Sequence, residues 1–275
     1  MDTPRGLALL LSAAGVVAAA LVAVPLLRAF ARTVIYPGAP LPFPEEAELR
    51  ASFPSASVVR YAAPGGPELT GAIVRGEGES LRPLLLFFHG NGECAAWNLP
   101  LAAALAARGF DVFLAEYRGY GGAGGKPTEE GLVEDGEAAV AEARRQGYGK
   151  ERLVLVGRSL GTGVATELAL RGRGAALVLV SPYTSIVDMG RGLAGPLAPL
   201  LVPDRFDNAA KLPRLEGPVV ILHGGLDDVV PVGMGRALAA LRPSARYVEV
   251  AQATHNDFPG LADLVAVQVR EALGE

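Results

Sequence analysis

An uncharged stretch of 21 residues, Leu7 to Leu27, opens the chain. After residue 55 the pattern changes to short apolar runs alternating with longer amphipathic ones. At about 1.5 Å per residue the first stretch reaches roughly 30 Å, one hydrocarbon core, and predicts a spanning helix. Arg5 precedes it and Arg28 and Arg32 follow. Residues 1–32 therefore read as an N-terminal single-pass membrane anchor and 33–275 as one folded domain. The alternative is secretion after signal-peptide cleavage, since Ala29-Phe30-Ala31 is an A-x-A pattern. The apolar stretch exceeds the roughly 7–15 residues of a signal-peptide core, which favours retention.

Residues 33–55 are proline-rich and predict an extended lead-in. Ser57–Ala62 and Leu69–Val74, separated by Pro64-Gly65-Gly66-Pro67, predict an antiparallel hairpin. Strand-like runs then follow at 84–88, 111–115, 152–156, 175–180, 218–222 and 246–250. Helical stretches lie between them at 95–108, 128–146, 160–171 and 233–241, with a last one at 257–273. Thr128 is placed to cap the second of these, with Glu129 and Glu130 in its first turn. Five-residue apolar strands alternating with helices predict an α/β fold. Its sheet is mostly parallel, of about eight strands, with helices on both faces. Residues 183–215 break the alternation and read as a short cap.

Half of the residues are hydrophobic, 20% are charged and the net charge is −4. That composition supports a buried core and excludes a disordered chain. Without a basic surplus no nucleic-acid partner is expected. A single cysteine, Cys94, excludes a disulfide framework and a multi-cysteine metal site.

Leu153-Val154-Leu155-Val156 runs directly into Gly157-Arg158-Ser159-Leu160-Gly161 and then into a helix. A GxSxG segment between a buried strand and a helix is a nucleophile elbow. It exposes the serine at the C-terminal edge of the sheet, beside a helix N-terminus. A serine needs a base. In α/β-hydrolases the order along the chain is serine, acid, histidine. Of His89, His223 and His255, only His255 follows Ser159 with room for an acid on a late strand. The other two read as loop-packing residues. Asp227 and Asp228 follow the strand at 218–222, and Asp188 is a reserve. For the oxyanion, Leu160 supplies one N–H and the loop His89-Gly90-Asn91-Gly92 the other, from Asn91 with Gly92 second.

These blocks resemble the α/β-hydrolase superfamily. They are most similar to membrane-anchored serine hydrolases related to the bud-emergence protein family of yeasts, a group labelled peptidase-like or acyl-thioesterase-like. Phe87–Glu93, Tyr117–Gly121, Pro127–Gly131, Gly157–Gly161, Asp227 with Val229-Val230-Pro231, and His255-Asn256-Asp257 carry the resemblance. It implies an α/β-hydrolase fold with a short cap. It also selects Asp227 over Asp228 by its spacing from the hydrophobic-Pro end. Glu116 stands where that group has Asp, and Gly121–Gly125 lacks the usual serine; both bear on loop shape.

The expected activity is hydrolysis of an ester or thioester acyl bond through Ser159, His255 and Asp227. Asn91 and Leu160 would hold the oxyanion, and no cofactor or metal is expected. Gly119–Gly124 fits GxGxxG, but no acid ends the next strand, so no dinucleotide is expected. Peptide cleavage is the second reading, less favoured because the chain shows no second domain to gate peptides. A non-catalytic membrane-tethered binding or scaffolding protein is the third. The apolar cap (Leu193, Leu197, Leu200, Leu201, Val202) points to a lipid-like acyl substrate or a lipidated protein, at a membrane.

Overall fold

The computed structural model describes residues 4–38, 41–78 and 82–274, with side chains from Ala18 onward. Helix α1 spans Pro4–Ile35 and α2 Glu46–Ser52. Strands β1 (Ala56–Ala62) and β2 (Glu68–Val74) form the predicted hairpin. Then come β3 (Leu84–Phe88), α3 (Leu99–Ala106), β4 (Asp111–Ala115), α4 (Glu129–Arg145) and β5 (Leu153–Arg158). Helix α5 (Gly161–Leu170) and β6 (Ala176–Val180) precede three short helices: α6 (Ile186–Ala194), α7 (Ala198–Leu201) and α8 (Asn208–Lys211). Strand β7 (Val219–Gly224), α9 (Val232–Leu241), β8 (Arg246–Val250) and α10 (Leu261–Leu273) complete the chain.

The eight strands form one sheet in the order β1-β2-β4-β3-β5-β6-β7-β8. Strands β3 to β8 run parallel, and β2 joins them antiparallel to β4. The central strands are buried on both faces, so they read as unbroken apolar runs. Successive side chains nevertheless separate. Leu84, Leu86, Phe88, Leu153 and Leu155 enter one core, and Leu85, Phe87, Val154 and Val156 the other. Thr128 caps α4 by accepting from the Gly131 N–H at 3.0 Å.

Two departures from the sequence reading concern the N-terminal region. Residues 46–52 form a helix where an extended lead-in is predicted; two carboxylates in its first turn and one buried apolar residue, Leu49, hold it. Helix α1 continues without a break past residue 32, to Ile35. Its end is tied to the domain: Arg32 Nε lies 2.9 Å from Asp204 Oδ2, Ile35 packs against Val187, Ala198 and Val202, and Tyr36 is buried in the main core. Among the described residues, one helix is long and apolar enough to cross a membrane, over Ala18–Ile35 with mean hydropathy 1.7. Residues 95–98 form a single 3-10 turn before α3, because Pro100 starts the α-helix afresh.

Candidate active site

The parallel register sets the C-terminal ends of β3, β5, β6 and β7 side by side, and the loops leaving them meet at one edge. Strand β5 ends in an elbow tight enough to exclude side chains. A Cβ on Gly157 would lie 2.5 Å from the Gly161 carbonyl oxygen, and one on Gly161 would run into the Phe88 carbonyl. Ser159 itself adopts φ +50, a left-handed conformation costing about 1–2 kcal/mol for a residue with a side chain. Its N–H still donates to the Val180 carbonyl (2.9 Å), which holds the strained residue against β6.

His255 lies on the loop between β8 and α10 and is buried. Its Nε2 is 3.1 Å from Ser159 Oγ, and its Nδ1 is 2.9 and 3.0 Å from the two oxygens of Asp227. Asp227 follows β7, and its Oδ1 also accepts from the N–H groups of Val229 (3.0 Å) and Val230 (2.8 Å). Burial works against its charge. The bonds from His255 and the Val230 amide outweigh that penalty and hold the carboxyl down at about 2. With Nδ1–H donating to this carboxylate, Nε2 is left as an acceptor for the serine hydroxyl. The constellation can therefore move the hydroxyl proton onto the ring and stabilise the resulting cation.

The other candidate residues are engaged elsewhere. Asp228 is exposed. Asp188 accepts from the Thr184 hydroxyl (2.8 Å), and its N–H donates to Ser185, the cap of α6. His223 Nε2 donates to the Val230 carbonyl at 2.9 Å and lies 3.5 Å from Asp227 Oδ2; burial lowers its pKa, so the ring beside the carboxylate stays neutral. His89 is buried under the loop that follows β3. Burial alone would favour its neutral form, but Glu116, 2.7 Å from Nε2, raises its pKa. Cys94 is buried.

The loop after β3 passes directly over the nucleophile: a Cβ on Gly90 would sit 3.2 Å from Ser159 Cβ. The Gly90 N–H is committed to Glu93 Oε1 at 2.6 Å. Asn91 and Gly92 follow on the exposed rim, with Asn91 Oδ1 accepting from the Tyr120 hydroxyl (3.3 Å). Leu160 follows Ser159 at the start of α5.

Three positioning residues carry no signal in the hydrophobic pattern. Glu116 accepts from His89, from the Ala95 N–H (3.0 Å) and from the Tyr117 N–H (3.0 Å), fixing the loop from below. Arg158, inside the elbow, donates to the His255 carbonyl (3.0 Å) and to Asn256 Oδ1 (3.3 Å). It also reaches Glu93 Oε2 at 3.5 Å, so the base loop and the loop over the nucleophile share one charged bridge. The sequence cues to Glu116 are its place directly after the apolar run Val112–Ala115 and its standing where the resembled group has Asp.

Residues 79–205 match the family described as serine aminopeptidase, S33. An uncharacterised protein of Mycobacterium tuberculosis is 38% identical over 185 residues, 66% of this chain and 65% of that protein. Human alpha/beta hydrolase domain-containing protein 17B is 36% identical over 182 residues, 63% of this chain and 60% of that protein. The chain thus spans less than two thirds of the length of either relative. An alpha-beta hydrolase from Vibrio vulnificus superposes with TM-score 0.75 at 21% identity, covering 90% of this chain and 94% of that one. The Pyrococcus furiosus esterase Pf2001 superposes with TM-score 0.67 at 17% identity, covering 87% and 98%.

Proposed function

We propose that this chain, a member of the α/β-hydrolase superfamily, is a membrane-tethered serine hydrolase of the bud-emergence-related type, cleaving an ester or thioester acyl bond. The observation that carries the reading is the hydrogen-bonded series Ser159–His255–Asp227, with contacts of 3.1 and 2.9 Å beneath a strained elbow. Ser159 Oγ attacks the acyl carbonyl as His255 Nε2 takes its proton. Asp227 holds Nδ1–H and balances the imidazolium charge. The N–H groups of Asn91 and Leu160 receive the oxyanion. His255 then protonates the leaving alcohol or thiol, and the acyl-enzyme forms. A water molecule, deprotonated by the same imidazole, releases the acid and restores Ser159.

The matched family description favours a second reading, peptide cleavage by the same residues. The esterase name of a structural neighbour favours the first. Both are tested by presenting the purified full chain with p-nitrophenyl esters of graded length, acyl-thioesters and aminoacyl amides, together with a fluorophosphonate probe. Covalent labelling that disappears in Ser159→Ala, with kcat lowered on the order of 10⁴–10⁶-fold, is the expected result. A chain that neither labels nor turns over any of these substrates would overturn the assignment in favour of a binding role, and a Ser159→Ala variant keeping a tenth of its turnover would overturn Ser159 as the nucleophile.

A further inference from the structure

We infer that the cap segment Ile186–Val202 lies against the surface of the bilayer that α1 enters, so that the catalytic edge opens at the lipid–water boundary. The inference rests on α1 being a membrane anchor. It does not depend on the chemistry proposed for Ser159.

The cap is fastened to the anchor. Helix α7 packs against α1, Ile35 shares a small apolar cluster with Val187, Ala198 and Val202, and Arg32 pairs with the buried Asp204. The uncharged stretch ends at Leu27, eight residues before Ile35. Those residues are helical and rise only about 12 Å, which ends a few ångström beyond a headgroup layer roughly 5–8 Å deep. The part of the domain bound to Ile35 is therefore held at the membrane surface.

The face presented there is apolar. From Gly192 to Pro203 no residue is ionisable. Val187, Ala198 and Val202 turn inward, whereas Leu193, Leu197 and Leu200 are 89%, 56% and 50% exposed. Leucines this open, clustered on an uncharged segment, mark an interaction surface. The exposed Leu26, Leu27 and Phe30 of α1 lead up to the cap along the anchor. That continuity selects lipid as the occupant. The chain also enters the domain at the catalytic edge. After the buried Tyr36, Pro37 lies beside Gly92 on the loop over the nucleophile, and α6 rises from the end of β6, between the strands that lead to Ser159 and Asp227.

The test uses the full chain in nanodiscs. Trp97 is the only tryptophan, so Trp97→Phe provides a dark background for one new tryptophan at a time. Leu197→Trp reports the cap and Leu21→Trp the span. Lys150→Trp, just ahead of β5 at the opposite edge of the sheet, serves as the control. With lipids brominated along the acyl chain, emission from positions 197 and 21 is expected to fall by half or more, and that from 150 to stay unchanged. Quenching at 21 but not at 197 would overturn the inference while leaving the anchor intact. Quenching at 197 but not at 21 would reject the anchor and with it the inference. An unquenched position 197 whose emission changes with protein concentration would give the face to a second copy, which also overturns it. In parallel, Leu193→Glu with Leu197→Glu and Leu200→Glu should lower the ratio of activity on a bilayer-embedded acyl ester to that on soluble p-nitrophenyl acetate about tenfold. An unchanged ratio would overturn the inference.

Discussion

Replacing Asp227 by Asn tests the site with a change of one atom. In the wild type both oxygens face His255 Nδ1, but Oδ1 also accepts two backbone N–H groups, from Val229 and Val230. An asparagine must keep its oxygen at that position, because an amide NH₂ there would meet two donors. The NH₂ group then occupies the Oδ2 position, 2.9 Å from Nδ1 in the wild type. It can only donate, and the oxygen already accepts two backbone N–H groups, so the tautomer carrying its proton on Nε2, facing Ser159, is favoured. An imidazole in that tautomer cannot receive the hydroxyl proton. The expected loss is about 10³–10⁴ in kcat, or about 4–5.5 kcal/mol of transition-state stabilisation. Both Val amides keep their acceptor, so the variant should still fold, with a melting temperature lowered at neutral pH by loss of the carboxylate's charged contact with His255. The assay is kcat and KM on a soluble p-nitrophenyl ester, beside a thermal melt and fluorophosphonate labelling rates, with Asp228→Asn and Asp188→Asn as comparisons expected to lose less than tenfold. A tenfold loss or smaller in Asp227→Asn, or a larger one in either comparison, would refute the tautomer argument.

Gly161→Ala should fold poorly, because its Cβ meets the Phe88 carbonyl; a drop of several degrees in melting temperature, or loss of soluble expression, is expected. The depressed Asp227 carboxyl contributes stability that is fully present above its ordinary value of 3.8 and is lost as pH falls through about 2. Thermal melts of wild type and Asp227→Asn should therefore converge between pH 4 and 2, and a gap that stays constant over that interval would contradict this. Residues 1–35 fused to a soluble reporter should carry it into the membrane fraction; a mature N-terminus at Arg32, found by mass spectrometry, would establish cleavage instead.

Much of the sheet was legible because its inner strands are five-residue apolar runs buried on both faces. The elbow was legible because its glycines are sterically required at fixed spacing around Ser159. What escaped reading depended on distant partners. Arg28 and Arg32 look like the end of a span, yet the helix continues, since Arg32 finds Asp204 172 residues away. Helix α2 has seven residues, too few for a period to register, and prolines on both sides read as extended chain. Arg158 and Glu93 sit in motifs valued for other residues. Their bridge emerges only when β5, the loop after β3 and the loop after β8 are brought to one edge.

On the proposed anchoring, α1 runs from the bilayer into the packed domain as one helix and would behave as a stalk, not a tether. It transmits tilt and azimuth, where a flexible linker would average them away. An enzyme carried on such a stalk searches in two dimensions and reaches only bonds held at one height above the acyl layer. Substrates would then be sorted by how far their scissile carbonyl stands from the membrane before any pocket contact is made. Adding or removing a single residue between Leu27 and Arg32 would shift that height by about 1.5 Å and rotate the mouth by about 100°, two changes that no substitution within the active site would mimic.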